Sequence, residues 1–162
     1  MDKIASFCIN HDYLMPGLYV SRQDGDVITY DLRMVKPNQG TYLDDDGMHS
    51  LEHLFATFMR NSQYRDAVVY VGPMGCRTGF YLLVRDLLSP CEVLRLVQDA
   101  CAKSAAFEGE LPGAATSAEC GNVQCHDLNK AKAYALAYGE ILANWNEAKM
   151  QYPPEVRDSY EV

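Results

Sequence analysis

The stretch MHSLEHLFATFMRN, residues 48–61, is the tightest constraint in this sequence. His49 and His53 stand one helical turn apart, so both imidazoles leave the same face of a helix. Leu51, Leu54, Phe55 and Phe58 recur at helical spacing and give the segment an apolar face. A helix over about 47–61 is therefore expected. One of its sides belongs to a core, and another presents two imidazoles with Glu52 beside them.

The rest of the chain supplies a scaffold for such a helix. DVITYDLRMV (26–35) is β-branched and aromatic with partial alternation, which predicts a strand after a polar lead. KPNQG breaks it, and LDDDGM adds turn residues before the histidine helix. AVVYVGP (67–73) and TGFYLLV (78–84) flank MGCR as a strand pair with a glycine-containing loop. Ser89, Pro90 and Glu92 form a capping box for a helix running to about residue 106. FEGELPGAA is a loop, and a last helix over about 127–148 is capped by Asp127. The expected class is α+β, a two-layer sandwich of helices on a mostly antiparallel sheet, as a single domain over 1–162.

Charge and composition remove several function classes. A net charge of −8 disfavours nucleic-acid binding, which needs a surplus of Lys and Arg. No run approaches the roughly 18 apolar residues of a membrane span. The opening MDKIASFCIN lacks the basic and apolar regions of an export signal, so a cytoplasmic protein is expected. Its six cysteines then read as reduced thiols.

His49-x-x-Glu52-His53 is the inverted form of the zinc-peptidase helix signature. Each histidine can offer a ring nitrogen to one ion, and a neighbouring carboxylate can move protons. The plain alternative is a helix with two partly exposed histidines and a solvated glutamate. With only four histidines in the chain, this spacing favours a metal site. A catalytic ion needs three protein ligands and one open position. The candidates for the third are Cys120, Cys125, His126 and the aspartates at 44–46, and the residues alone do not choose between Cys120 and Cys125. His126 beside Asp127 also reads as a structural residue at a helix start, and the aspartates as an acidic turn favouring a helix N-terminus.

Five segments in series resemble the S-ribosylhomocysteine lyase (LuxS) family: SFCINH (6–11), YDLRMVKPN (30–38), HSLEHLFATFMRN (49–61), GPMGCRTGFYL (72–82) and ECGNVQCHDLNKA (119–131). The resemblance implies cleavage of the thioether of S-ribosylhomocysteine to L-homocysteine and 4,5-dihydroxy-2,3-pentanedione. That product is the autoinducer-2 precursor of quorum sensing, and the reaction also serves the activated-methyl cycle. It implies a homodimer with active sites at the subunit interface and one divalent metal per subunit, iron(II) with zinc or cobalt as substitutes. By the same resemblance, His49, His53 and Cys120 hold the metal, Cys76 is the catalytic base and Glu52 the second acid/base. Ser6, His11 and Arg33 bind the ribosyl part of the substrate, and Cys125 falls outside the motif. Read from their neighbours alone, Cys76 would be a small buried side chain, Arg33 a solvated edge residue and His11 a surface histidine.

Two rival readings use the same histidines. An inverted-motif metallopeptidase would set Glu52 to activate water, take an acidic third ligand downstream and have no need of Cys76. A non-catalytic metal-binding protein would close the coordination sphere and leave Cys76 without a role.

Overall fold

Residues 8–157 are described by a computed structural model, in which the strand expected over 26–35 forms as β2 (Val27–Arg33). Its alternation puts Tyr30 and Leu32 into the main core, so Asp31 and Arg33 point to the opposite face of the sheet. The hairpin around MGCR supplies β3 (Val68–Pro73) and β4 (Gly79–Arg85). A fourth strand, β1 (Gly17–Asp24), completes a sheet in the order β1-β2-β4-β3, antiparallel at every pairing.

The segment before residue 26, a polar lead by its sequence, contains a strand over Gly17–Asp24. Only Leu18, Tyr19 and Val20 carry a strand-like apolar signal, and a bulge between Val20 and Arg22 breaks the alternation beyond them. An edge strand needs one partner ladder rather than an apolar face along its whole length, and local pattern is weak there.

Helices α1 (Asp45–Arg60), α2 (Pro90–Ala105) and α3 (Leu128–Leu142) cover one face of the sheet. Leu51, Leu54 and Phe55 of α1 are fully buried among Leu32, Phe80 and Leu82, while Phe58 is half-buried and meets Phe107 edge-on at 6.1 Å. The capping box at Ser89 is present, with the Ser89 side chain accepting from the Glu92 N–H and the Glu92 carboxylate from the Ser89 N–H. Asp127 caps α3 by accepting from the Lys130 N–H at 3.0 Å.

α3 stops at Leu142 rather than near 148. The Gln98 side chain takes the Leu142 carbonyl, Trp145 donates to the Leu18 carbonyl, and Asn146 caps a separate 3-10 turn, Glu147–Lys149. These partners draw the chain off the helix axis and back to the β1 edge. A short α4 (Pro154–Arg157) follows. Leu14, Tyr19, Tyr152 and Val156 form a second small core there. No described helix is long and apolar enough to cross a membrane, and no disulfide is formed among the described cysteines.

Candidate metal centre

The two histidines of α1 are each fixed by a backbone carbonyl. His49 donates its Nδ1–H to the Cys125 carbonyl at 2.8 Å, and His53 donates its Nδ1–H to the Pro112 carbonyl at 2.7 Å. A carbonyl can only accept, so both rings carry their proton on Nδ1 and turn bare Nε2 lone pairs inward. Those two Nε2 atoms stand 3.2 Å apart, and the Cys120 Sγ stands 3.4 Å from that of His49. Two lone pairs facing each other repel unless a cation lies between them. With metal–nitrogen distances near 2.05 Å and metal–sulfur near 2.3 Å, tetrahedral ligands would sit about 3.3 Å (N···N) and about 3.6 Å (N···S) apart. The donor set fits a single divalent ion in type, tautomer and spacing.

Tertiary approach of α3 to α1 assembles this group. A Cβ on Gly47 would meet the Tyr134 ring at 2.5 Å and the Lys130 Cβ at 2.8 Å, so the bare glycine lets the two helices close. The Asp127 N–H then bonds the Asp46 carbonyl (3.1 Å) and Ser50 Oγ (2.9 Å), which anchors the loop carrying Cys120 and Cys125 beside α1. Asp44 pairs with Lys130 at 3.1 Å and Asp45 lies 3.8 Å from Arg77, so these acids serve the helix start and take no part in the metal group. Cys125 contributes its carbonyl, not its thiol.

His126, a candidate for the third ligand as well as a residue of the helix start, joins the group. One ligand atom from each of His49, His53, Cys120 and His126 lies within 4.8 Å of all the others. Its ring stacks on that of His49 at 4.0 Å, and its nitrogens meet Ser50 Oγ (3.2 Å) and Cys120 Sγ (3.5 Å). Burial, then the neighbouring His49 and His53, lower its pKa and favour the neutral ring. The signal in the sequence was the third imidazole six residues past Cys120, but nothing local says that it turns inward.

Beside the group opens a cavity of about 420 Å³ lined by Glu52, Pro112, Glu119 and Gly121 together with His49 and Cys120. Its size suits a small ligand, for which roughly 300–1,000 Å³ is usual. Cys76, Arg33 and His11 are not among its lining residues.

Cys76 is exposed at the tip of the β3–β4 hairpin, not buried as its neighbours suggested. The Arg77 N–H bonds the Met74 carbonyl, and the left-handed φ of 59° at Arg77 turns the chain so that Cys76 stands outward. Arg33 is only 2% exposed, so it is no solvated edge residue. It forks onto Asp31 (Nε–Oδ1 3.1 Å, Nη2–Oδ2 2.7 Å) and directs Nη1 to Thr78 Oγ1 at 2.5 Å, with Cys76 Sγ 3.9 Å away. Burial opposes its charge, but the Asp31 fork more than restores it and leaves the guanidinium more firmly protonated than an ordinary arginine. His11 is half-buried and donates to the Ile9 carbonyl at 2.8 Å. Ser6 lies outside the described residues. The chain thus presents two separate groups, the metal cluster with Glu52 and the Cys76–Arg33 pair.

The family model described as S-Ribosylhomocysteinase (LuxS) matches residues 4–149. The chain belongs to the LuxS family. Among curated relatives, the S-ribosylhomocysteine lyase of Clostridium acetobutylicum is 42% identical over 158 residues, covering 94% of this chain and 99% of the relative. Those of Clostridium beijerinckii and Desulfotalea psychrophila are each 45% identical over 159 residues, with the same coverage of both chains. The LuxS match takes in both side-chain groups and ends before Tyr152 and Val156 of the second core.

Proposed function

We propose that this chain is a metal-dependent lyase that cleaves S-ribosylhomocysteine to L-homocysteine and 4,5-dihydroxy-2,3-pentanedione, the autoinducer-2 precursor. The observation that carries the reading is the convergence of His49 Nε2, His53 Nε2 and Cys120 Sγ in a chain of the LuxS family. We assign these three as the ligands of one divalent ion per subunit, iron(II) in the cell. When bound, that ion supplies a Lewis acid for the sugar oxygens, which makes the neighbouring C–H bonds acidic.

The reaction must move the carbonyl from carbon 1 to carbon 3 by successive proton transfers. Then the proton on carbon 4 is removed, its electron pair forms the C4–C5 double bond, and the C5–S bond breaks to release the thiolate of homocysteine. Cys76 is the base we assign to the protons. It must act as a thiolate, and the Arg33 guanidinium lies 3.9 Å from its sulfur. Glu52 lines the cavity beside the ligand helix and carries protons at the other end of the sugar. Arg33, His11 and Ser6 hold the ribosyl part.

Cys76 and Arg33 stand apart from the metal cavity of their own chain, which supports a homodimer in which a second copy brings its hairpin to that cavity. We place the enzyme in the cytoplasm, acting in autoinducer synthesis and sulfur recycling as one domain over the whole chain. A metallopeptidase is not favoured, because the third group at the histidines is a thiol rather than a carboxylate.

The test is anaerobic thiol release from S-ribosylhomocysteine by iron- or cobalt-loaded protein, run beside Cys76→Ala. Release by the parent, abolished in a variant that keeps its metal, supports the lyase and the base together. No release from the metal-loaded dimer overturns the lyase.

A further inference from the structure

The buried Asp31–Arg33 pair has a third member that comes from the far end of the chain. Tyr152 donates its phenol O–H to Asp31 Oδ2 at 2.7 Å, the same oxygen that accepts from Arg33 Nη2. All three side chains are almost fully buried, at 5%, 1% and 2% exposure. A carboxylate can swing about its last torsion and leave an arginine fork. With both oxygens engaged by the fork and one also held by the phenol, its plane is fixed, and so is the guanidinium that reaches Thr78 and Cys76.

Several contacts keep the phenol in place. The Tyr152 ring stacks on that of Tyr19 at 5.0 Å and 23°. The Met150 carbonyl accepts from the Val20 N–H at 2.7 Å, which ties the segment to β1. Val156 is fully buried, and its carbonyl accepts from the Asn10 N–H at 2.9 Å, one residue before His11. Residues 150–157 therefore strap the edge of the sheet and touch both regions assigned to the ribosyl group. They lie past the last residue of the family match.

We propose that Tyr152 is a positioning residue for the lyase reaction, its phenol holding Asp31 and through it setting the Arg33 guanidinium beside Cys76. This rests on the assignment of Arg33 and Cys76 to the active site. Tyr152 touches no reacting atom and acts on the guanidinium through the carboxylate.

The test is a double-mutant cycle on the metal-loaded enzyme with S-ribosylhomocysteine. Tyr152→Phe keeps the ring, its stacking and its burial and removes only the hydroxyl. Loss of a hydrogen bond to a charged group predicts about a ten-fold fall in kcat/KM. Arg33→Lys keeps a charge but cannot take the fork. In that background Tyr152→Phe is expected to change kcat/KM less than two-fold, because the phenol no longer has a fork to hold. Tyr19→Phe is the control: its hydroxyl leaves the same stack but bonds the Met15 carbonyl, so kcat/KM should not move.

An unchanged kcat/KM in Tyr152→Phe, or a loss that adds in full to that of Arg33→Lys, overturns the proposal. Should the phenylalanine variant fail to fold, Tyr152→Met, which fills the space of the ring and also lacks a donor, enters the same cycle under the same criterion. If Arg33→Lys and Cys76→Ala both leave thiol release intact, the active-site assignment fails instead, and the two failures are distinct.

Discussion

His126 Nε2 lies 3.5 Å from Cys120 Sγ, while its Nδ1 meets Ser50 Oγ at 3.2 Å. Ser50 Oγ accepts from the Asp127 N–H at 2.9 Å and keeps its own hydrogen to give to Nδ1 in one of the two His126 tautomers. In that tautomer the His126 proton sits on Nε2, aimed at the sulfur. So placed, His126 donates a hydrogen bond to the Cys120 sulfur and offers no lone pair there.

His126→Ala is therefore expected to retain one metal per subunit. Affinity should fall about 10–100-fold, the usual cost of removing an outer partner of a ligand. The sulfur-to-metal absorption band of the cobalt form should shift with it. Metal titration and the visible spectrum together check this, and a complete loss of bound metal would make His126 a direct ligand.

His49→Ala, His53→Ala and Cys120→Ala each remove a converging donor. Each should lower metal affinity more than 100-fold, beyond the range of an outer partner. Cys125→Ala should keep its metal, because that residue gives only its carbonyl. Metal content after dialysis against a weak chelator separates the two groups.

The separation of Cys76 from the metal cavity predicts complementation. His53→Ala and Cys76→Ala are each expected to be inactive as pure dimers. Mixed under conditions that exchange subunits, they should regain thiol release, because one site of each mixed dimer then holds an intact metal group facing an intact Cys76. A mixture that stays inactive after proven exchange would put both groups in one chain.

Asp31→Ala leaves the Arg33 guanidinium buried without its fork. A buried pair broken on one side costs about 3–5 kcal/mol. Urea unfolding of the parent and variant measures it, and a change below about 1 kcal/mol would mean that water reaches the guanidinium.

Stability should fall in alkali. Burial pushes the Cys101 thiol up to about 12, and burial with the charge of Asp31 does the same for the Tyr19 phenol. Above pH of about 9 the unfolded chain loses these protons while the folded chain keeps them, so the unfolded state gains. The loss should grow as pH rises towards 12, and urea midpoints from pH 8 to 11 follow it.

The sequence by itself determined the features that neighbouring residues encode. The spacing of His49 and His53 fixed their common face on α1, Ser89 and Asp127 fixed two helix starts, and the glycines around Cys76 marked a hairpin. Each depends on backbone geometry over a few residues, which is why periodicity and capping chemistry reveal it. The resemblance added the choice of Cys120 as third ligand, which residues alone left open against Cys125.

Only the tertiary structure decided the rest. The approach of α3 to α1 across Gly47 turned His126 inward and gave the Cys125 carbonyl, not its thiol, to His49. Pairing of β2 with β1 and β4, under the returning C-terminal segment, buried Arg33 and put Tyr152 against Asp31. These contacts join residues that lie far apart in the chain, 76 positions for His49 with Cys125 and 121 for Tyr152 with Asp31. Local pattern says which side of a helix or strand is apolar. Which distant side chain arrives to meet the polar one is set by how the layers pack.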